Sequence, residues 1–306
     1  MRETSGIVVE DERLAELVDP TVVVERLGGG ATWSTAPLWL PGENAVIWSD
    51  VVGNRVLRWT AATGEVTVES AEAEFPNGRA RDHQGRVVTC SHGKQAIERA
   101  EADGTTAVLV DRSGPARLTS PSDVVVASDG AIWFTDPRYG VVEPDEPHCG
   151  DSGRGADHVY RLVPETGELT SVLDGVEEPN GLAFSPDERR LYVSDTSCAL
   201  RADGTGAHCI RVYDVTAEWR CVNGRLFAEV TPGVAEGFCV DVHGNVWTAS
   251  AGSVQVYAPD GTRLGTIPVP QRVGHLCFGG TDGDTLFIAA STSLYRLRTT
   301  TRGNLG

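Results

Sequence analysis

The sequence predicts an all-β chain folded as a six-bladed β-propeller around a central channel, and three features predict it. Helical periodicity is almost absent, with only Glu12 to Val18 patterned as a short amphipathic helix. Elsewhere short apolar, β-branched and aromatic runs alternate with Gly, Asp and Pro. Examples are Ala131 to Thr135 before Asp136-Pro137 and Leu191 to Ser194 before Asp195. Lastly, one unit recurs six times: a short polar motif, an apolar stretch, a turn, and a second apolar stretch.

Taken in order, residues 1–20 read as an N-terminal arm. Blade one opens at Thr35-Ala36-Pro37, blade two at Pro76-Asn77-Gly78 and blade three at Pro121-Ser122-Asp123. Blades four, five and six open at Pro179-Asn180-Gly181, Ala235-Glu236-Gly237 and Gly274-His275-Leu276. From opener to the end of the second strand the distances are Thr35 to Asp50, 15; Asn77 to Ser91, 14; Ser122 to Asp136, 14; Asn180 to Asp195, 15; Glu236 to Ser250, 14; and His275 to Ala290, 15. Successive openers lie 42, 45, 58, 56 and 39 residues apart, room for four strands per blade. The longer intervals contain inserts at Val141 to Asp157 and around Ser197 to His208, placed where they could roof an opening. Blade six runs out of chain after Leu294-Tyr295-Arg296-Leu297, so Val22 to Arg26 is expected to return as its outer strand and close the ring. Residues 21–300 then form one domain, with 301–306 as a tail.

Composition narrows the function. The formal charge of −17 argues against a protein that neutralises phosphates or lies on anionic lipid, so neither nucleic acid nor membrane is an expected partner. Lys94 is the sole lysine, leaving one candidate for Schiff-base chemistry. No apolar run approaches the ~18 residues that span a bilayer. The first twenty residues carry Glu3, Glu10, Asp11 and Glu12 and lack the pattern of a secretion signal, so a cytoplasmic location is expected. Seven cysteines without a Cys-x-x-Cys pair read as free thiols. No Gly-x-Ser-x-Gly elbow is present, and Gly28-Gly29-Gly30 lacks the strand-to-helix context of a nucleotide-binding loop.

In a propeller the innermost strands line the channel, so the residues that open them meet at its mouth. Thr35, Asn77, Ser122, Asn180, Glu236 and His275 should therefore converge, and all six carry hydrogen-bonding or ligating groups. Asn, Ser and Thr often serve turns, but Glu236 and His275 are poor turn formers, which favours a functional ring. Asp50, Asp136, Asp195 and Asp123 read instead as carboxylates that bind turn backbones. Cys90 and His92 close the second strand of blade two, where a channel role and a surface role are equally open. Arg138 and Tyr139, just before the long insert, are placed to face a substrate.

Across nearly the whole chain the sequence resembles the senescence marker protein, gluconolactonase and luciferin-regenerating enzyme family. The matching stretches include Trp48-Ser49-Asp50, Asp82 to Arg86, Ser120 to Asp123, Phe134 to Gly140, Pro179-Asn180-Gly181, Glu236-Gly237 and Leu276 to Gly280. The resemblance implies a six-bladed propeller with lactonase activity and one divalent metal at the channel mouth, held here by Asn180 and Glu236. Four departures weaken that metal site. Thr35-Ala36-Pro37 stands where the family has Glu-Gly-Pro, and Ser122 replaces an Asn. Glu236 replaces an Asp, which moves the charge ~1.5 Å further into the channel. His275 stands where Asn is common. With one carboxylate, affinity for Ca²⁺ or Mg²⁺ should fall or vanish; Mn²⁺ is a further possibility, and Glu236 with His275 would suit Zn²⁺ but falls short of three protein ligands.

Three functions stay open from the sequence. The first is a lactonase-like hydrolase of a small polar substrate, with metal-assisted ring opening, Glu236 as ligand or base, and Thr35, Asn77, Ser122, Arg138 and Tyr139 holding the substrate. The second is a metal-independent hydrolase, isomerase or lyase of specialised metabolism that uses His275 and Glu236 as an acid–base pair. The third is a non-catalytic small-molecule-binding propeller whose ring groups surround ordered water.

Overall fold

The computed structural model of the chain describes residues 6–142 and 158–304. Most of the insert at Val141 to Asp157 lies outside those residues. Six antiparallel sheets form the blades of a β-propeller, four of them built wholly from strands consecutive in sequence. The innermost strands are Ser34–Leu40, Pro76–Arg81, Val124–Val126, Pro179–Phe184, Phe238–Val240 and Val273–Gly279. From each, successive hairpins carry the chain outward through three more strands, except in blade six, where the chain supplies only two more.

Ring closure follows the expected logic with a shifted boundary. Glu25–Gly29 pairs with the last strand, Ser293–Arg298, and completes blade six. The expected span began at Val22, but Val22 and Val24 instead pack against the apolar cluster between blades five and six. Burial of those side chains outweighs their strand propensity, so pairing starts further on. Upstream, Val8–Val9 adds a fifth, outer strand to blade five. The helix expected over Glu12 to Val18 is confined to Leu14–Leu17, whose two leucines are buried in the same cluster. At the other end, Thr301 is buried and Gly303 bridges Asp241.

The core lies between blades. Strand faces read apolar on both sides because each sheet is sandwiched by two neighbours. The fully buried Trp48, Trp133 and Trp247 sit on the second strands of blades one, three and five. Phe287 stacks on Trp39 at 5.5 Å between centroids and joins blade six to blade one. Asp50, Asp136 and Asp195 end the second strands of blades one, three and four and accept backbone N–H bonds, from Thr32 and Trp33, from Thr119 and Ser120, and from Glu177 and Glu178. These three carboxylates serve turns. Among the described residues the six cysteines are unpaired, and no helix is long and apolar enough to cross a membrane.

Candidate active site

The six residues that open the repeats come together. Thr35, Asn77, Ser122, Asn180, Glu236 and His275 line one cavity of about 610 Å³, joined by Trp33, Asp123, Tyr139, Ala199 and Arg272. Ala199 comes from the second insert, whose Ser197–Leu200 segment forms a single 3₁₀ turn.

Strand irregularity explains why these side chains turn inward. In blades one, two, four and six the pairing of the innermost strand slips between Thr35 and Leu38, Pro76 and Arg79, Pro179 and Leu182, and Val273 and His275. In blades three and five the regular strand starts at Val124 and Phe238, after Ser122 and Glu236. A bulge or an unpaired start frees a residue from the pleat and lets its side chain be re-aimed. Glycine then permits close approach. A Cβ on Gly237 would lie 2.0 Å from Cδ2 of His275, and one on Gly78 would lie 2.4 Å from the Ser122 carbonyl oxygen.

A chain of hydrogen bonds runs along one side of the cavity. The Asn77 amide nitrogen donates to Nε2 of the buried His92 at 3.0 Å and to the Ser122 hydroxyl at 3.3 Å. Ser122 donates to Oδ1 of Asn180 at 3.0 Å, and the Asn180 amide reaches the Thr196 hydroxyl at 3.5 Å. That hydroxyl lies 2.6 Å from the Tyr139 phenol oxygen. Burial pushes the Tyr139 phenol above its ordinary value despite the Thr196 contact, so it stays protonated.

Two carboxylates among the described residues face this amide-rich side, each paired with a different basic side chain. Asp123 Oδ2 lies 3.1 Å from Nε2 of His275 and also accepts the Leu182 N–H at 3.0 Å, while its Oδ1 takes the Val124 N–H at 2.9 Å. The other ring nitrogen of His275 sits 2.8 Å from the Leu276 amide nitrogen and 3.0 Å from the Leu276 carbonyl oxygen. Burial works to lower the pKa of His275, but the Asp123 charge and hydrogen bond and the Leu276 carbonyl outweigh it and hold it above the ordinary value. Glu236 forms an ion pair with Arg272, whose guanidinium stacks over the Trp33 ring at 5.2 Å.

This arrangement corrects three sequence expectations. The hydrogen bond from His275 to a carboxylate goes to Asp123, so the expected His275–Glu236 pair is replaced by His275–Asp123 and Arg272–Glu236. Asp123, read from sequence as one more turn carboxylate, belongs to the cavity. Arg138 is absent from the cavity lining and pairs instead with the fully buried Glu178, while Tyr139 does line it. Sequence reasoning missed Trp33 and Arg272, and left His92 undecided. Each lies just outside the repeated motif, and only Asp123, next to a ring residue, carried a usable signal.

The match to known proteins is extensive. The model of the SMP-30/gluconolactonase/LRE-like region matches residues 33–292. The chain belongs to the SMP-30/gluconolactonase family. A family relative, the gluconolactonase of Zymomonas mobilis, is 31% identical over 95% of this chain and 85% of its own. A pentonolactonase of Haloferax volcanii is 29% identical over 87% of this chain and 82% of its own. The solved structure of a gluconolactonase from Xanthomonas campestris shares 37% identity and superposes with a TM-score of 0.87, covering 98% of this chain and 99% of that one.

The divalent cation that the family resemblance implies does not fit the groups present. Asn180 Oδ1 already accepts from Ser122, Thr35 brings a neutral hydroxyl, and the Glu236 carboxylate is matched by a guanidinium. No cluster of three or more His, Cys, Asp or Glu side chains able to hold a metal occurs among the described residues. Hard cations are held chiefly by several oxygen ligands, usually including more than one free carboxylate.

Proposed function

We propose that this chain is a lactonase-like hydrolase that opens the ring of a small polar lactone in the cavity at the channel mouth. One observation carries the reading: six equivalent ring positions, including the Glu236 carboxylate, converge on one cavity of about 610 Å³, a size that suits a small ligand. The lactonase names of relatives spanning nearly the whole chain support the reaction class.

Ring opening needs an acceptor for a water proton and donors for the carbonyl oxygen as it becomes an oxyanion. Water oxygen bonds to the carbonyl carbon while one of its protons passes to the Glu236 carboxylate. The ring C–O bond then breaks, and that proton moves to the departing alkoxide to give the open hydroxy acid. Thr35, Asn77, Ser122 and Asn180 offer the short polar groups that hydroxyls of a sugar-derived lactone would meet. Tyr139 lines the same cavity with its hydroxyl turned to Thr196.

His275 serves better as a positioning residue than as the base. Both its nitrogens are engaged, by Asp123 and by the Leu276 backbone, which leaves neither directed at a substrate. That weakens the isomerase or lyase reading, which required a His275–Glu236 acid–base pair. The test is acid release from a panel of aldonolactones, with Glu236→Gln as the control. Acid released in proportion to enzyme and lost in the variant supports the reading. Ligand binding without turnover would make the chain a binding propeller.

A further inference from the structure

Charge pairing in the cavity leads beyond the reaction class to the way the reaction is run. Among the described residues two carboxylates line it: Asp123, hydrogen-bonded to His275, and Glu236, whose cationic partner is Arg272. Arg272 stands just before the innermost strand of blade six, and both it and its stacking partner Trp33 line the cavity. A guanidinium held flat on an indole face keeps its N–H fork in a fixed plane. One part of that fork meets Glu236, and five N–H donors exceed what a single carboxylate can accept.

We propose that Arg272 takes the electrostatic place of a divalent cation in this cavity, so that the lactone is opened without a metal: Arg272 balances Glu236 and donates N–H bonds to the carbonyl oxygen as it becomes negative. The step balances without a further reagent. The π electrons of the carbonyl move onto the oxygen facing Arg272, the water proton goes to Glu236 and then to the ring oxygen, and the product is the hydroxy acid. Thr35 belongs to the same arrangement. A carboxylate there would add a negative charge beside the Glu236–Arg272 pair, whereas a hydroxyl adds none.

The catalytic half of this inference rests on the lactonase reading, but its metal half does not, and the experiment separates them. Protein dialysed against a chelator is titrated calorimetrically with Ca²⁺, Mn²⁺ and Zn²⁺, as wild type, Thr35→Glu, and Thr35→Glu/Arg272→Met. Wild type is expected to show no saturable binding tighter than ~10⁻³ M, the weak end of protein calcium sites. The double variant, with carboxylates at positions 35 and 236 and no guanidinium at 272, is expected to bind at least ~10-fold more tightly than Thr35→Glu alone, since affinity follows ligand charge. Saturable micromolar binding by wild type overturns the proposal, as does a double variant no tighter than the single one. With a lactone that the wild type opens, chelator should leave the rate unchanged, and Arg272→Met should lower kcat by ~10²-fold or more with KM little moved. Circular dichroism of Arg272→Met checks that it folds, and Arg272→Lys, which keeps a charge without the fork, should recover part of the rate. Loss of wild-type activity in chelator, or full kcat in a folded Arg272→Met, overturns the catalytic half. If no lactone is opened by any protein, the lactonase reading fails while the titrations still decide whether the cavity excludes metal.

Discussion

Nε2 of His275 lies 3.1 Å from Oδ2 of Asp123, joining blade six to blade three across the ring of innermost strands. The two residues are 152 positions apart in sequence, so the contact forms only once the propeller has closed. It holds a carboxylate inside the cavity and occupies the imidazole nitrogen that a base would need.

His275→Asn should therefore behave as the loss of a positioning residue. Its kcat is expected to fall by no more than ~10-fold, below the 10²–10⁴-fold range of a lost general base, and the pH–rate profile should keep both limbs. Steady-state kinetics across pH, on whichever lactone proves to be a substrate, check this. A vanished limb would return His275 to proton transfer.

The same pair predicts how stability depends on pH. His275 has a pKa above its ordinary 6.5 in the folded chain, so the fold binds that proton more tightly than the unfolded chain does. Its stabilising effect is complete below pH 6.5 and is lost as pH rises through the folded value. Asp136 has the same sign: burial, opposed by the Thr119 and Ser120 amides, pushes it up to about 7, so its contribution also fades as pH rises through that value. Melting temperature should fall from about pH 4 to about 7 through Asp136 in both proteins, and go on falling above pH 6.5 in wild type but not in His275→Asn. Equal slopes would show that His275 carries no such linkage.

Gly237→Ala should damage the cavity from behind. The new methyl would stand 2.0 Å from a ring that is fixed at both nitrogens and has no free direction of retreat. Overpacking of this kind costs ~1–3 kcal/mol, so denaturant melts should show that loss together with a fall in activity. A variant as stable and active as wild type would mean that the ring yields freely.

Arg138→Ala should affect stability and leave substrate affinity alone. Removing the guanidinium leaves the buried Glu178 carboxylate without its ionic partner, for a loss of ~1–3 kcal/mol. KM for a lactone substrate should not move. A raised KM at unchanged stability would restore the substrate-binding role read from the sequence.

The ring was legible because a propeller converts a repeat into a place. Once Asn77, Ser122, Asn180, Glu236 and His275 were aligned by their 14- and 15-residue distances to the second strands, their convergence required no further information. Side-chain partners do not repeat, and there the sequence was silent. Asp123 shares its chemistry with Asp50, Asp136 and Asp195, yet it is hydrogen-bonded to His275 inside the cavity, because blade six places His275 opposite it. Arg272 lies ahead of the motif and Trp33 at the first blade, so their stacking depends on closure between the last blade and the first. The closing strand was misplaced by the apolar run Val22-Val23-Val24, where packing against the helix-bearing cluster between blades overrides pairing.

The most direct measurement is a pH-stat assay of acid release from a panel of sugar-derived lactones, run in parallel for wild type and Glu236→Gln. Wild type should release acid from at least one lactone at a rate proportional to enzyme concentration. Glu236→Gln should retain the wild-type circular dichroism and melting behaviour and lose ~10²–10⁴-fold in rate. No acid release from any lactone, or an undiminished rate in the variant, would contradict lactone opening at this cavity.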